Sequence, residues 1–377
     1  MIAEHLCAGA ALSYALRCAQ NAGGWSEIEP VADGSALPRL TIVVPARNEE
    51  QSIERCVRSL LAQTLDDVEV IVVDDRSTDA TPAILRKIAG EDARLIVVHG
   101  EELPAGWVGK PWAIRQGVRR AHGDWLLFTD ADTYHAPWAS ASALTFARKR
   151  GVQMVTLATG LELGTLAERA LLPSILGMVV FAFGPIGAIN DPSRPDRALA
   201  NGQYIMIERT AYESLGGHAS VHDRIAEDVE FARAFKRDGR FRMLLAGGAR
   251  LCSVRMYRST REIWDGFTKN LFLGAGGRPE VLAAGIAYLL ALGVAPPVLA
   301  VRALTQRRKF AAAEAVAALA TVIATSCWAM GEVGIPRRLG VYAPFGLGFL
   351  AAIAVNSGIR GFGGRGVEWR GRRYGER

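Results

Sequence analysis

Four short apolar runs alternate with helix-patterned segments between residues 40 and 129, and that alternation restricts the fold more than any other feature of the chain. Leu40–Val44 ends at Pro45, as a buried strand does. The next segment starts near Asn48, a residue suited to cap a helix, and carries Ile53, Val57, Leu60 and Leu61 at helical spacing. Glu69–Val73 reads as a second strand and runs into Asp74-Asp75. Pro82 falls in the first turn of a second helix that stops near Gly90. Arg94–Val98 is a third strand, Pro111 opens a third helix that stops near Gly123, and Trp125–Thr129 is the fourth strand. Strand alternating with helix in this way calls for right-handed crossovers and a mostly parallel sheet.

Ligands of such sheets bind beyond the carboxyl ends of the strands. Pro45–Glu49, Asp74-Asp75 and Asp130-Ala131-Asp132 all fall at such ends, so polar side chains converge on one rim. The D-x-D is the sharpest of them. Two carboxylates after a buried strand do nothing obvious for folding, but they suit a divalent cation held against a diphosphate, since Mg²⁺ prefers one or two carboxylates plus phosphate oxygens and water. Taken alone the triplet is equally a solvated turn. Dinucleotide binding is excluded by the lack of G-x-G-x-x-G after the first strand. A phosphate loop around Gly109-Lys110 is excluded too, because Pro104 replaces its first glycine and Pro111 follows the lysine.

Beyond Arg278 the composition changes. Val281–Val301, Phe310–Met330 and Leu339–Ile359 are nearly free of charge and close to spanning length, and Leu171–Ile189 is a fourth apolar stretch inside the globular part. Much of the net charge of +6 flanks these segments: Arg302, Arg307, Arg308 and Lys309 in one loop, Arg337 and Arg338 in the next, and Arg360, Arg365, Arg370, Arg372, Arg373 and Arg377 in the tail. Such clusters suit anionic lipid headgroups. Nucleic-acid binding is not expected, for no recognition motif accompanies the charge. The five cysteines have no zinc or disulfide spacing, which fits reduced thiols. Residues 1–37 hold a short apolar patch broken by Glu4, His5 and Arg17, a poor signal peptide and at most a degenerate or interfacial anchor. Three spans would put the basic tail across the membrane from the globular part, against the positive-inside rule, so either one segment does not cross or further segments alter the count.

The segments VVPARNEE (43–50), VVDDRSTDAT (72–81), GWVGKPWAIRQGV (106–118), GDWLLFTDADT (123–133) and AEDVEFA (226–232) occur in this order. Together they resemble the family 2 glycosyltransferases of the GT-A fold, over about residues 38–272. GWVGKPWA, RMYRSTREIWDGFTKN (255–270) and the ending VEWRGRRY resemble the bacterial membrane-bound branch that includes carotenoid- and hopanoid-associated glycosyltransferases. The implied architecture is α/β: a GT-A catalytic domain over 38–275 carrying an interfacial apolar segment at 171–189, transmembrane helices over 276–360, and a basic tail at 361–377.

The resemblance implies roles for particular residues. Pro45, Ala46, Arg47 and Glu49 would line the nucleoside pocket, with Asp74 and Asp75 on base or ribose and Lys110 on donor phosphate or sugar. Asp130 would contact the donor, and Asp132, with Asp130 beside it, would hold Mg²⁺ or Mn²⁺. Asn201, Gly202 and Gln203 match the acceptor-side loop. Glu227-Asp228 opens a helix, where acidic residues also simply complement the macrodipole; the family places its general base at the position of Asp228. His135 is a possible additional metal ligand, and His218 with His222 a weaker pair. The Q-x-x-R-W of processive members is missing; Lys269 or Arg261 stands in that region and would meet the diphosphate.

The expected function is metal-dependent, inverting transfer of one sugar from a nucleotide-diphosphate sugar, a UDP-sugar first among them, to a lipid or lipid-linked acceptor. The expected location is the cell membrane, multi-pass, with the catalytic domain cytoplasmic. Two alternatives stay open at this point: a processive polysaccharide synthase, and a catalytically silent sugar-nucleotide-binding membrane protein.

Overall fold

The computed structural model describes residues 2–22, 24–34, 36–274 and 277–362, with two short paired strands at 367–369 and 372–374. The chain forms two compact units. One consists of Gly24–Glu162 and Ile186–Met256; the other gathers Met1–Gly23, Leu163–Pro185 and Tyr257–Arg377.

The first unit is built on a mixed sheet. Its strands are β1 (Leu40–Ala46), β2 (Val68–Asp74), β3 (Leu95–His99), β4 (Trp125–Phe128), β5 (Thr133–His135), β6 (Met154–Ala158), β7 (Gly160–Leu161), β8 (Ile205–Glu208), β9 (Met243–Gly247) and β10 (Cys252–Val254). Seven of them form one sheet in the order β3-β2-β1-β4-β8-β6-β9. β1 pairs in parallel with β2 and with β4, β2 with β3, and β6 with β9. β8 runs antiparallel to both β4 and β6, so the expected mostly parallel sheet carries one reversed strand in its middle. β5, β10 and β7 make a second, three-stranded sheet.

Alternation along β1 divides the core in two, because successive side chains of a strand point to opposite faces. Ile42 and Val44 join Ile53, Val57, Leu60, Leu85 and Ile88 on one side. Val43 joins Ile114, Phe128, Ile205, Phe231 and Phe235 on the other. Every residue of β2 is buried, as in a central strand covered on both faces.

The local reading from sequence needs one correction. Asn48 does not cap the helix Ile53–Leu61; Ser52 holds the N-cap position. Asn48 instead adopts φ of 54°, and its Oδ1 accepts from the amide of Thr78 at 2.8 Å. A short polar side chain that tolerates the left-handed region and bonds locally is used here to brace one loop against another.

The second unit is helical. Among the described residues, Leu166–Phe183, Lys309–Glu332 and Arg337–Gly361 are long and apolar enough to cross a membrane. The apolar stretch 281–301 is divided between Pro279–Gly293 and Ala295–Thr305, whose axes bend by 48°. Pro296 and Pro297 at that break lack the amides a continuous helix needs. Residues 2–21 form one helix. Helix Leu166–Phe183 begins with a capping box: the Glu168 amide donates to Thr165 Oγ1 at 3.2 Å, and the Thr165 hydroxyl donates to the Glu168 carboxylate at 3.0 Å. Most of the basic tail lies outside the described residues.

Candidate active site

β1, β2 and β4 are neighbours, so their carboxyl ends bring three polar segments to one edge. At the first, Pro45 pairs with Val73 and Ala46 with Asp74 in the sheet register. The Asp75 amide donates to the Ala46 carbonyl at 2.7 Å, and Arg47 Nη1 donates to the Asp75 carbonyl at 2.6 Å. Asp74 accepts from the Ser77 amide at 3.1 Å. The Glu49 amide donates to Thr81 Oγ1 at 2.8 Å, and its carboxylate accepts from the Ser52 hydroxyl at 3.0 Å. Residues 45–49 and 74–81 therefore form one hydrogen-bonded ledge.

The D-x-D follows β4 and is braced from beneath. The Thr133 hydroxyl donates to the Asp130 carbonyl at 2.8 Å, and the Thr129 hydroxyl donates to the Gln203 carbonyl at 2.7 Å. His135 Nε2 lies 2.9 Å from Thr129 Oγ1 and 3.1 Å from Thr133 Oγ1. Burial lowers the His135 pKa to about 3, so its ring is neutral. That nitrogen is committed to hydroxyls, and among the described residues no three His, Cys, Asp or Glu side chains are placed to share a metal ion. The pair His218 and His222 resolves likewise: His218 stacks on Phe231 and bonds the Tyr212 hydroxyl through Nδ1, while His222 Nδ1 meets the Ala219 carbonyl.

The centre of the site is Lys110. Its ammonium lies 2.7 Å from Asp130 Oδ1 and 2.9 Å from Glu227 Oε1. Asp130 comes from the end of β4, Lys110 from the first turn of helix Gly109–Val118, and Glu227 from the first turn of helix Glu227–Asp238. Burial works against the charge of Lys110, yet Asp130, Glu227 and Asp228 together hold its pKa well above the ordinary value. Glu227 is pushed the other way. Its burial raises the carboxyl to about 7, with Lys110 opposing and Asp228 and Asp130 adding to the rise.

Asp228 is fixed by backbone donors. Its Oδ2 accepts from the Gly202 amide at 3.0 Å and its Oδ1 from the Val229 amide at 2.8 Å. A Cβ on Gly202 would sit 2.7 Å from Lys110 Nζ and 3.2 Å from Asp228 Oδ2, so any side chain here would push the lysine's mobile end aside. Its neighbours turn inward. Asn201 Nδ2 donates to the Leu157 carbonyl at 2.9 Å, and Gln203 Oε1 accepts from the Thr159 hydroxyl at 2.5 Å. The tripeptide thus offers the site a backbone amide, held by two side chains that bond elsewhere.

Asp130, Lys110, Gly202, Glu227 and Asp228 come together around one point, and the residues expected to line the nucleoside pocket form the ledge on neighbouring strands. Arg261 belongs to the helical unit, where it faces Asp265 at 3.7 Å. The side chain of Lys269 lies outside the described residues. The Thr129–Thr133–His135 brace was not read from the sequence. Its one signal is the polar residues placed where an apolar strand ends.

Whether a divalent cation suits these residues turns on the donor set. Asp130 and Asp132 supply hard carboxylate oxygens two positions apart, both half-buried, and among the described residues no thiolate or imidazole joins them in a cage. That suits Mg²⁺ or Mn²⁺ completing its shell with diphosphate and water, and does not suit structural zinc.

Residues 41–185 match the model of glycosyl transferase family 2. The chain is 28% identical over 269 residues to a 4,4'-diaponeurosporenoate glycosyltransferase of Staphylococcus aureus strain MRSA252, covering 66% of this chain and 65% of that protein. It is 26% identical over 355 residues to the protein of the same description from strain USA300, covering 89% of this chain and 88% of the relative. A mannosyltransferase from Pyrobaculum calidifontis, solved with GDP-Man and Mn²⁺, superposes with a TM-score of 0.56 at 21% identity, covering 96% of this chain and 99% of that one. With the matched segment reaching from the ledge through the D-x-D, and with the fold shared, the chain is a glycosyltransferase on the GT-A fold whose residues 41–185 match family 2 and which resembles the carotenoid-associated enzymes.

Proposed function

We propose that the protein transfers one sugar, with inversion, from a nucleotide-diphosphate sugar to a lipid-like acceptor at a membrane. One observation carries the reading: the carboxylate of the D-x-D and those of Glu227-Asp228 meet across a single lysine and a single glycine amide. A donor side and an acceptor side are thereby joined in one site.

The ledge at 45–49 and 74–81 takes the nucleoside, with UDP-sugars as the leading class. Asp130 and Asp132 would hold Mg²⁺ or Mn²⁺, which when bound supplies Lewis-acid stabilisation to the diphosphate leaving group. The Mn²⁺ and GDP-Man bound to the Pyrobaculum mannosyltransferase support that choice of cofactor class. Asp228 is the base. The acceptor hydroxyl gives its proton to a carboxylate oxygen as its own oxygen bonds the anomeric carbon, and the bond from that carbon to the diphosphate breaks. A positioned base contributes roughly 10²–10⁴ in rate. Direct displacement by one nucleophile inverts the anomeric centre. Lys110 neutralises the carboxylates around it and adds positive potential beside the departing phosphates.

A lipid acceptor is supported by the three helices among the described residues that are apolar enough to cross a membrane and by the carotenoid acid in the names of the relatives. In this reading the chain is multi-pass with its catalytic unit cytoplasmic; the basic loops near Arg307 and Arg337 flank one candidate span and so meet headgroups of opposite leaflets.

The test is transfer from radiolabelled UDP-sugars into a membrane lipid extract, with and without Mn²⁺. Label should pass into the organic phase only with the cation. Label accumulating in water-soluble polymer, or transfer unaffected by chelator, overturns the respective part.

A further inference from the structure

Helix Leu166–Phe183 is the first of the three single helices, among the described residues, apolar enough to cross a bilayer. Its composition alone would make it a span, for Glu168 and Arg169 in the first turn are its sole charges. The chain on either side forbids that. Immediately before it, β7 (Gly160–Leu161) pairs with β10, and Glu162 holds Arg55 through two bonds of 2.7 Å. Soon after it, Asn190 Nδ2 donates to the Leu245 carbonyl at 3.0 Å and its Oδ1 accepts from the Leu245 amide at 2.8 Å, on β9. Both flanks are stitched into the same sheet-based unit, which also pairs β6 with β8 across the excursion. A helix of 18 residues is roughly 27 Å long, enough to cross once and not enough to cross and return. A single crossing would leave Glu162 and Asn190 on opposite faces of the membrane, and one folded unit cannot sit on both.

The helix is nonetheless not an ordinary core element. Only 33% of its apolar window is buried within the protein. Leu171, Leu172 and Ile175 pack with Leu347, Leu350 and Ile353 of helix Ala343–Phe362, itself apolar enough to span. A Cβ on Gly346 would sit 2.7 Å from Ser174 Cβ, so the two helices approach closely where both residues are small. After Ile175 the burial falls: Gly177 and Ala182 are exposed, and Leu176, Met178, Val179, Val180, Phe181 and Phe183 half-buried.

We infer that Leu166–Phe183 enters one leaflet of the bilayer and leaves by the same face, with the turns after Ile175 lying against lipid acyl chains. Its partner is the hydrocarbon of that leaflet, and its role is to seat the catalytic unit on the membrane without crossing it. This rests on the membrane location proposed above, and the two fail differently: a chain released from membranes by alkaline carbonate sinks the location, whereas the results below sink the non-crossing helix alone.

Gly164→Cys and Gly187→Cys place thiols at exposed positions on the two flanks. Each is labelled with a membrane-impermeant maleimide in right-side-out and in inverted vesicles, with wild type as background for the native thiols. Both should label in the same vesicle orientation. Labelling in opposite orientations overturns the inference, and so does protection of either site in both orientations. A nitroxide on Val179→Cys in proteoliposomes should relax with oxygen and not with a water-soluble nickel chelate. Relaxation by the chelate, or by neither reagent, removes the lipid contact.

Discussion

The Gly202 amide donates to Asp228 Oδ2 at 3.0 Å, and the space where its side chain would stand is filled by the Lys110 ammonium. A single residue with no side chain thus orients the carboxylate proposed as base and leaves room for the ammonium beside it. Gly202→Ala should lower kcat about 10- to 100-fold with little change in Tm, because the added methyl displaces Lys110 and the carboxylate it neighbours, a fraction of what a positioned base contributes. Steady-state kinetics beside a thermal melt check it; unchanged kcat would mean the close approach has no catalytic consequence.

Asp228→Asn keeps an oxygen able to accept from the Gly202 amide but cannot take a proton. Donor affinity should stay within about twofold and transfer should fall by roughly 10²–10⁴. Nucleotide-sugar titration and product analysis on the same preparation separate the two effects. Full turnover in this variant would move the base elsewhere.

Asp132→Ala leaves the Lys110–Asp130 contact in place and removes one hard oxygen donor. Donor binding in the presence of Mn²⁺ should weaken, while binding in chelator should not change. Isothermal titration with and without the cation decides it, and equal loss in both conditions would give Asp132 a structural role only.

Lys110→Met strips the counter-ion from two carboxylates, one of them buried. Breaking a buried pair by removing one partner costs about 3–5 kcal/mol, and protonation of Glu227 moderates this, so a loss toward the lower end is expected. Lys110→Met with Glu227→Gln should recover part of the Tm. A double variant no more stable than the lysine variant alone would show that the pair is not coupled.

Glu227 has its carboxyl raised to about 7 by burial, from an ordinary value of 4.5. The folded protein therefore holds a proton that the unfolded chain releases, and stability falls as pH rises from about 4.5 to about 7. Above that window both states are ionised and the contribution is flat. Glu227→Gln should remove this decline, measured as Tm against pH in detergent. A variant with the same slope as wild type would assign the titration to another group.

Much of the fold was legible in the chain because it is encoded locally. The four apolar runs between residues 40 and 129 became β1 to β4 with shifts of a residue or two, and their acidic ends stand on one edge as parallel pairing requires. The reversed β8 was not legible: Tyr204–Ile207 is apolar in either direction, and only pairing with β4 and β6 fixes its sense. Asn48 misled because a capping residue and a left-handed turn residue share the same short polar side chain.

The sequence by itself determined the alternation of strand and helix, the placing of carboxylates at strand ends and the presence of segments apolar enough for a membrane, since each follows from spacing along the backbone. Tertiary structure alone decided that Lys110 stands between Asp130 and Glu227, that Gly202 lies against both Lys110 and Asp228, and that both flanks of Leu166–Phe183 return to one unit. These are relations between residues far apart in the chain, and no local pattern carries the distance between them.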